Sequence, residues 1–110
     1  MKVIINRILP IGRKYYAINL CGVVFAKGPC DAVTLNHEAI HTAQIKELLV
    51  LGFYLWYVAE WLYKAVKYKG LHAGYRNISF EREAYANGSN LSYLSSRKSF
   101  AFLRKQEKAL

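Results

Sequence analysis

The sequence predicts a single α+β domain, in which an N-terminal β-hairpin or small sheet is followed by several helices. The chain has 110 residues, which is the length of one domain with one hydrophobic core. Residues 15–26 (YYAINLCGVVFA) are rich in β-branched and aromatic side chains, a composition typical of strands. Residues 35–69 contain no proline and carry apolar side chains close to helical spacing, which indicates helix.

The composition excludes several classes of protein. Hydrophobic residues make up 54% of the chain and aromatic residues 15%, which excludes a disordered tail. Seven glycines and two prolines are too few for a collagen-like or linker-like chain. The net charge of +9 fits a nucleic acid, an anionic membrane surface or simply the solubility of an aromatic protein. Cys21 and Cys30 show neither CxxC spacing nor a disulfide framework, so we expect them to be reduced and structural.

The first elements are strands and a helix start. Residues 15–26 predict a hairpin or strand pair, and residues 27–29 close it with a turn. Thr34 or Asn36 is expected to cap the next helix, because each offers a side-chain oxygen to the free N–H groups of its first turn.

The rest of the chain is predicted to be mostly helical. Residues 35–69 form one long helix, or two helices joined near Gly52. Residues 70–74 (GLHAG) form a loop, and Ser79 caps another helix that begins at Phe80. If that helix continues through residue 88, one of its faces carries Phe80, Ala84, Leu91 and Leu94. The tail from residue 99 predicts a short basic amphipathic helix.

Residues 48–63 (LLVLGFYLWYVAEWLY) contain a single charged side chain, Glu60. This run is shorter than the roughly 20 apolar residues that span a bilayer. One interpretation is a buried core helix. The other is association with an anionic membrane surface through residues 48–69, since Trp56 and Trp61 suit an interface and lysines follow directly.

His37, Glu38 and His41 form an HExxH motif (HEAIH). On a helix, positions i and i+4 lie on one face, so that both imidazoles can bind one zinc ion. Glu38 lies beside the first ligand and can act as the general base towards a zinc-activated water. By chance, this motif occurs about once in a few hundred chains of this length.

A hydrolytic zinc site needs a third protein ligand. Asp31 precedes the motif too closely, and Glu47 and Glu60 lie on the same helical stretch in positions that cannot face the same ion. The spacing of the two cysteines does not favour them. Glu81 and Glu83, on the next helix, remain as candidates.

HExxH followed by a second helix with E-x-x-A resembles the gluzincin metallopeptidases. The most similar member is the small zincin-like domain of proteins associated with contractile injection systems. The matching segments are residues 18–28 (INLCGVVFAKG), 36–44 (NHEAIHTAQ) and 80–87 (FEREAYAN), within a resemblance that covers residues 15–90. It implies a minimal zincin-like domain, with a long HExxH helix, a second ligand-bearing helix and a short basic C-terminal helix.

The resemblance also implies roles for single residues. Zinc would be held by His37, His41 and Glu81, with Glu38 as the base. Glu81 matches the family's ligand because Ala84 follows it at +3, and Glu83 is the fallback. Tyr85 stands at +4, where the family often has an aspartate that orients a ligand histidine.

Two further features could serve a hydrolytic site. A donor for the developing oxyanion could come from His72, Tyr75 or Arg76, between the two ligand helices. The strand at Val23–Ala26 could offer its edge to an extended peptide.

The sequence therefore predicts a zinc-dependent metallopeptidase-like protein that cleaves a peptide or protein substrate. The alternative is a non-catalytic zinc-containing module that binds a membrane surface or a protein partner. Nucleic acid is not favoured, because the basic residues are dispersed and no nucleic-acid-binding motif is present. Residues 1–12 are too short and too interrupted for a signal peptide, so we expect a cytoplasmic or membrane-peripheral protein.

Overall fold

A computed structural model describes residues 2–12 and 15–104. It is a small α+β domain with the strands β1 (Val3–Ile5), β2 (Ala17–Leu20) and β3 (Val23–Ala26). The helices are α1 (Ala32–Glu47), α2 (Leu51–Lys67), α3 (Leu71–Arg76), α4 (Ser79–Asn87) and α5 (Tyr93–Ser96), followed by a 3-10 turn at Ala101–Leu103. The α+β fold class is thus confirmed.

The three strands form a mixed sheet in the order β1-β3-β2. The predicted hairpin is the antiparallel pair β2 and β3, and β1 joins β3 in parallel. Cys21 and Gly22 form its tight turn with positive φ at both positions, a conformation that glycine adopts without strain. The prediction that Val23–Ala26 offers a free edge is wrong, because β3 is the central strand; β2 is an edge strand.

Helix α1 begins five residues earlier than a cap at Asn36 would predict. Its N-cap is Asp31, whose Oδ1 accepts a hydrogen bond from the backbone N–H of Thr34 at 2.8 Å. Thr34 and Asn36 are therefore not caps. The Asn36 amide is instead buried and donates to the carbonyls of Gly88 and Asn90, which ties α1 to the end of α4.

The long helical stretch is two helices. The chain turns at Leu49 and Val50, which both have positive φ, and α2 starts at Leu51. The break lies just before Gly52, close to the predicted joint.

Two later predictions are wrong. Residues 70–74 are not a loop, because α3 starts at Leu71 and packs closely on α2: a side chain at Gly74 would meet the backbone of Ala65 at 2.5 Å. Helix α4 includes Ser79 as its first residue rather than its cap, and it ends at Asn87, so it does not carry Leu91 and Leu94. The predicted C-terminal helix starts at residue 99, and its described part, residues 99–104, contains a 3-10 turn. Residues 105–110 lie outside the described residues.

The hydrophobic core lies between α1, α2, α4 and the C-terminal segment. Its buried members are Ile45, Phe53, Ile78, Phe80 and Phe102. Phe53 is the one fully buried residue of α2, so most of this apolar helix covers the core with one face and exposes the other. Within the described part of the chain, no helix has both the length and the apolar character needed to cross a bilayer.

Candidate metal centre

Helices α1 and α4 bring His37, His41 and Glu81 together. The Oε1 atom of Glu81 lies 3.2 Å from Nε2 of His37 and 3.0 Å from Nε2 of His41. One ligand atom from each of the three residues lies within 4.8 Å of the other two. In a tetrahedral zinc site, ligand atoms are about 3.3 Å apart, so this donor set has the spacing and the chemistry that zinc requires.

The electrostatics of the site couple Glu81 to the histidines. Burial alone would lower the pKa of His41, but the charge and hydrogen bond of Glu81 raise it to about 9. Burial alone would raise the pKa of Glu81, but the imidazoles of His41 and His37 hold it well below its usual range. Without metal, the carboxylate is therefore neutralised by protonated histidine, a role that a bound cation can take over.

Glu38 is buried beside these three residues and lines a cleft. Its Oε2 lies 4.0 Å from Nε2 of His37, and its Oε1 is buried without a hydrogen-bond partner among the described residues. Burial raises the pKa of its carboxyl group. A buried carboxylate oxygen with no partner is costly unless water or substrate supplies one, which favours a working group over a structural one.

Gln44 orients His41 from behind. The side chain of Gln44 donates from Nε2 to the carbonyl of Phe80 at 3.0 Å and to Oε1 of Glu83 at 2.9 Å. Its Oε1 therefore faces His41 and accepts a hydrogen bond from Nδ1 at 2.7 Å. With the proton held on Nδ1, Nε2 of the neutral ring is left to bind a metal.

Glu83 is buried in an ion pair and is not at the metal centre. Its carboxylate accepts hydrogen bonds from Gln44, Tyr93 and Arg97, and the Arg97 guanidinium also reaches Glu47 at 2.9 Å. The side chain of Glu83, the fallback ligand, is fully buried in this pair. Between the two candidate third ligands, the structure brings Glu81 to the histidines.

Tyr57 and Tyr85 also contact the ligands. The Tyr57 hydroxyl donates to Oε2 of Glu81 at 2.7 Å, which leaves Oε1 facing the histidines. The Tyr85 ring packs edge-on against the His37 ring, with centroids 4.5 Å apart. Tyr85 thus supports His37 by packing, whereas Gln44 accepts the hydrogen bond that orients the other candidate ligand, His41.

A cleft of about 260 Å³ opens beside His37 and Glu38. Tyr75 and Tyr85 line it, and their hydroxyls are hydrogen-bonded to each other at 2.8 Å. Ala17 of β2 lies on the same cleft.

The three predicted oxyanion donors take different positions. Tyr75 lines the cleft. The Arg76 guanidinium lies 4.1 Å over the Tyr85 ring, and His72 lies within hydrogen-bonding distance of the Tyr15 hydroxyl, 3.2 Å away.

The two cysteines are free thiols.

Sequence reasoning missed Gln44, Tyr57 and Arg97. Gln44 follows His41 by three positions, the spacing at which helical side chains meet, and this signal could have identified it. Tyr57 contacts Glu81 and Arg97 contacts Glu83. Both contacts arise from tertiary packing, so no local sequence signal marks them.

Comparison of the chain with protein-family models, with curated proteins and with solved structures gives no match.

Proposed function

We propose that this protein is a zinc-dependent peptidase in which His37, His41 and Glu81 hold the metal. The observation that carries the proposal is the convergence of both Nε2 atoms on Oε1 of Glu81, with Glu38, whose Oε1 has no partner among the described residues, beside them. Two histidines that are paired by chance on a surface helix would not be expected to lie against two buried carboxylates.

Glu38 is the proposed general base. A bound zinc ion supplies a Lewis acid that lowers the pKa of a coordinated water to about 7. Glu38 accepts the proton of the attacking water at its free Oε1 and passes it to the leaving amine. Its pKa is raised by burial, which brings the carboxyl group closer to the working pH and makes both the uptake and the release of the proton accessible.

The cleft supports an extended peptide as substrate. The carbonyl of Tyr16, just before β2, accepts from the N–H of Lys27, just after β3, so Ala17, which is paired with Ala26, directs its backbone groups away from β3. Ala17 also lines the cleft beside Glu38. A peptide bound along this edge by β-augmentation would pass the metal centre.

Tyr75 and Tyr85 are the proposed donors to the substrate carbonyl. Burial and the charge of Glu81 raise the pKa of Tyr75, and burial raises that of Tyr85. Both hydroxyls therefore keep their protons at neutral pH. Since they hydrogen-bond to each other at the cleft, one can turn to an oxyanion while the other supports it.

The test combines metal analysis with cleavage of a peptide library. We expect Glu38→Gln to retain zinc and to lower the rate of cleavage by about 10²- to 10⁴-fold, the usual contribution of a general base. Retention of full activity by this variant would contradict the assigned role. If the wild-type protein binds zinc but cleaves no peptide, the alternative of a non-catalytic zinc module stands in place of the peptidase.

A further inference from the structure

The outer face of α2 is an exposed apolar stripe. Its members follow each other at three- and four-residue spacing, so they lie along one side of the helix. Their exposed fractions are 68% for Leu51, 66% for Leu55, 49% for Val58, 59% for Leu62 and 81% for Val66. The stripe is about 22 Å long at the rise of an α-helix.

Neighbouring apolar residues widen the stripe into a patch. Leu49, just before α2, is 84% exposed. Trp56 is partly exposed and packs edge-on against Phe102, which also contacts the exposed ring of Phe100. Large contiguous apolar patches are rare on soluble monomers unless they bind something.

The charges around the patch are positive. Lys67 and Lys69 are exposed at its C-terminal end, and Lys46 is exposed near its N-terminal end. The one carboxylate of α2, Glu60, turns inward, where Oε2 accepts from the backbone N–H and hydroxyl of Ser79.

Most of the other acidic side chains among the described residues are likewise buried or half-buried. Six of the seven acidic residues lie within the described ranges, and Asp31 alone among those six is exposed. Glu38 and Glu81 are buried at the candidate metal centre, and Glu83 and Glu47 are both paired with Arg97. The described residues therefore expose almost no negative charge, in a chain whose net charge is +9.

We propose that the outer face of α2 binds an anionic lipid membrane, lying in the plane of the interface. The apolar stripe would enter the boundary between head groups and acyl chains, and Lys67 and Lys69 would contact the anionic head groups. A nucleic acid would match the charge but would leave the apolar stripe without a partner. A second copy of the chain would match the stripe but would bring two strongly basic surfaces together.

This surface is independent of the proposed catalytic function. It does place the membrane close to the metal centre, since Phe53 and Tyr57, on the inner face of α2, contact His41 and Glu81. The candidate metal centre therefore lies about one helix diameter, roughly 10 Å, from the proposed lipid surface.

The test is co-sedimentation of the full chain with two kinds of vesicle. One contains phosphatidylcholine alone, and the other also contains about 30% phosphatidylserine, which gives it a negative surface potential. We expect binding to the anionic vesicles only, and weakening by high salt. The double substitution Leu55→Ser/Leu62→Ser should reduce binding by about tenfold or more, because it removes apolar area from the interface. The matched control is Leu91→Ser, which replaces an equally exposed leucine beyond α4 and should leave binding unchanged.

Three results would overturn the proposal. The first is no binding of the wild-type protein to anionic vesicles. The second is binding that the double substitution does not weaken, which would show a purely electrostatic contact spread over the basic surface. The third is a dimer in sedimentation equilibrium that the double substitution dissociates, without vesicle binding, which would assign the patch to a second copy. Zinc content, measured in parallel, should be the same in all variants and separates this proposal from the catalytic one.

Discussion

At the residue scale, the site depends on how each ligand is held. His41 is fixed through Nδ1 by Gln44, and Glu81 is fixed through Oε2 by Tyr57, so the free atom of each points to the same place. His37 lies against the Tyr85 ring instead. Two of the three proposed ligands are thus oriented by hydrogen bonds to side chains outside the proposed ligand set.

Replacing Gln44 tests this arrangement. Gln44→Ala should weaken zinc binding by about 10- to 100-fold, because His41 loses the acceptor that sets its tautomer and ring orientation. Competition with a chromogenic chelator measures the affinity. Asn36→Ala is the control, since it also removes a buried amide from α1 but one that bonds the carbonyls after α4. An equal loss of affinity in both variants would contradict a specific role for Gln44.

Zinc affinity should depend on pH through His41. Its pKa is about 9 in the metal-free protein, and zinc binds only the neutral imidazole. Affinity should therefore rise with pH up to about 9, by roughly tenfold per unit for one released proton. The same chelator competition measures the slope. It is run between about pH 6.5, the ordinary pKa of histidine, and about pH 9, the raised pKa of His41, and is corrected for the protonation of the chelator. A flat profile would contradict the coupling of His41 to Glu81.

The metal-free fold should show the opposite trend. The pKa of His41 is raised from 6.5 to about 9 on folding, so the stability it contributes is complete below pH 6.5 and is lost as the pH rises through about 9. Glu81 has a lowered pKa, so its contribution is present above its ordinary value and is lost in acid. Urea unfolding of the zinc-free protein should give its highest midpoint between these limits. A midpoint that keeps rising towards pH 9 would contradict this assignment.

At the element scale, Arg97 joins three parts of the chain. Its guanidinium lies between Glu47 at the end of α1 and Glu83 of α4, and it brings in the segment after α5. Its side chain is almost fully buried, and that of Glu83 is fully buried. Arg97 therefore stabilises the two helices that carry the proposed ligands, although it is not one of those ligands.

Arg97→Ala should destabilise the fold by about 3–5 kcal/mol, because it leaves the Glu83 carboxylate buried without its cation. Urea unfolding measures the change. The adjacent Lys98 is exposed, and Lys98→Ala should change stability by no more than about 0.5 kcal/mol. Similar effects of the two substitutions would contradict the buried ion pair.

At the scale of the whole molecule, the parts that were predictable are those set by local pattern. The hairpin around Cys21 and Gly22 and the helix of HExxH follow from spacing and composition, and they are confirmed. The cap at Asp31 was missed because Thr34 and Asn36 are equally good cap residues, and the choice among them depends on where Asn36 finds tertiary partners. The central position of β3 depends on β1, which lies far from it in sequence.

The site shows the same division. His37, Glu38 and His41 could be predicted because they are neighbours on one helix. Elimination among the acidic residues left both Glu81 and Glu83, and only the family resemblance favoured Glu81. They are two residues apart, on different sides of α4, and the packing of α4 on α1 decides which one faces the histidines.

The most direct test of the central claim is the zinc content of the purified protein and of Glu81→Gln, determined by elemental mass spectrometry on chains shown to be folded. The account predicts about one zinc per wild-type chain and a clear loss of zinc in the variant, because the third ligand is removed. A folded wild-type protein without zinc after growth in zinc, or a Glu81→Gln variant that holds zinc as tightly as the wild type, would contradict the assignment of His37, His41 and Glu81 as a metal centre.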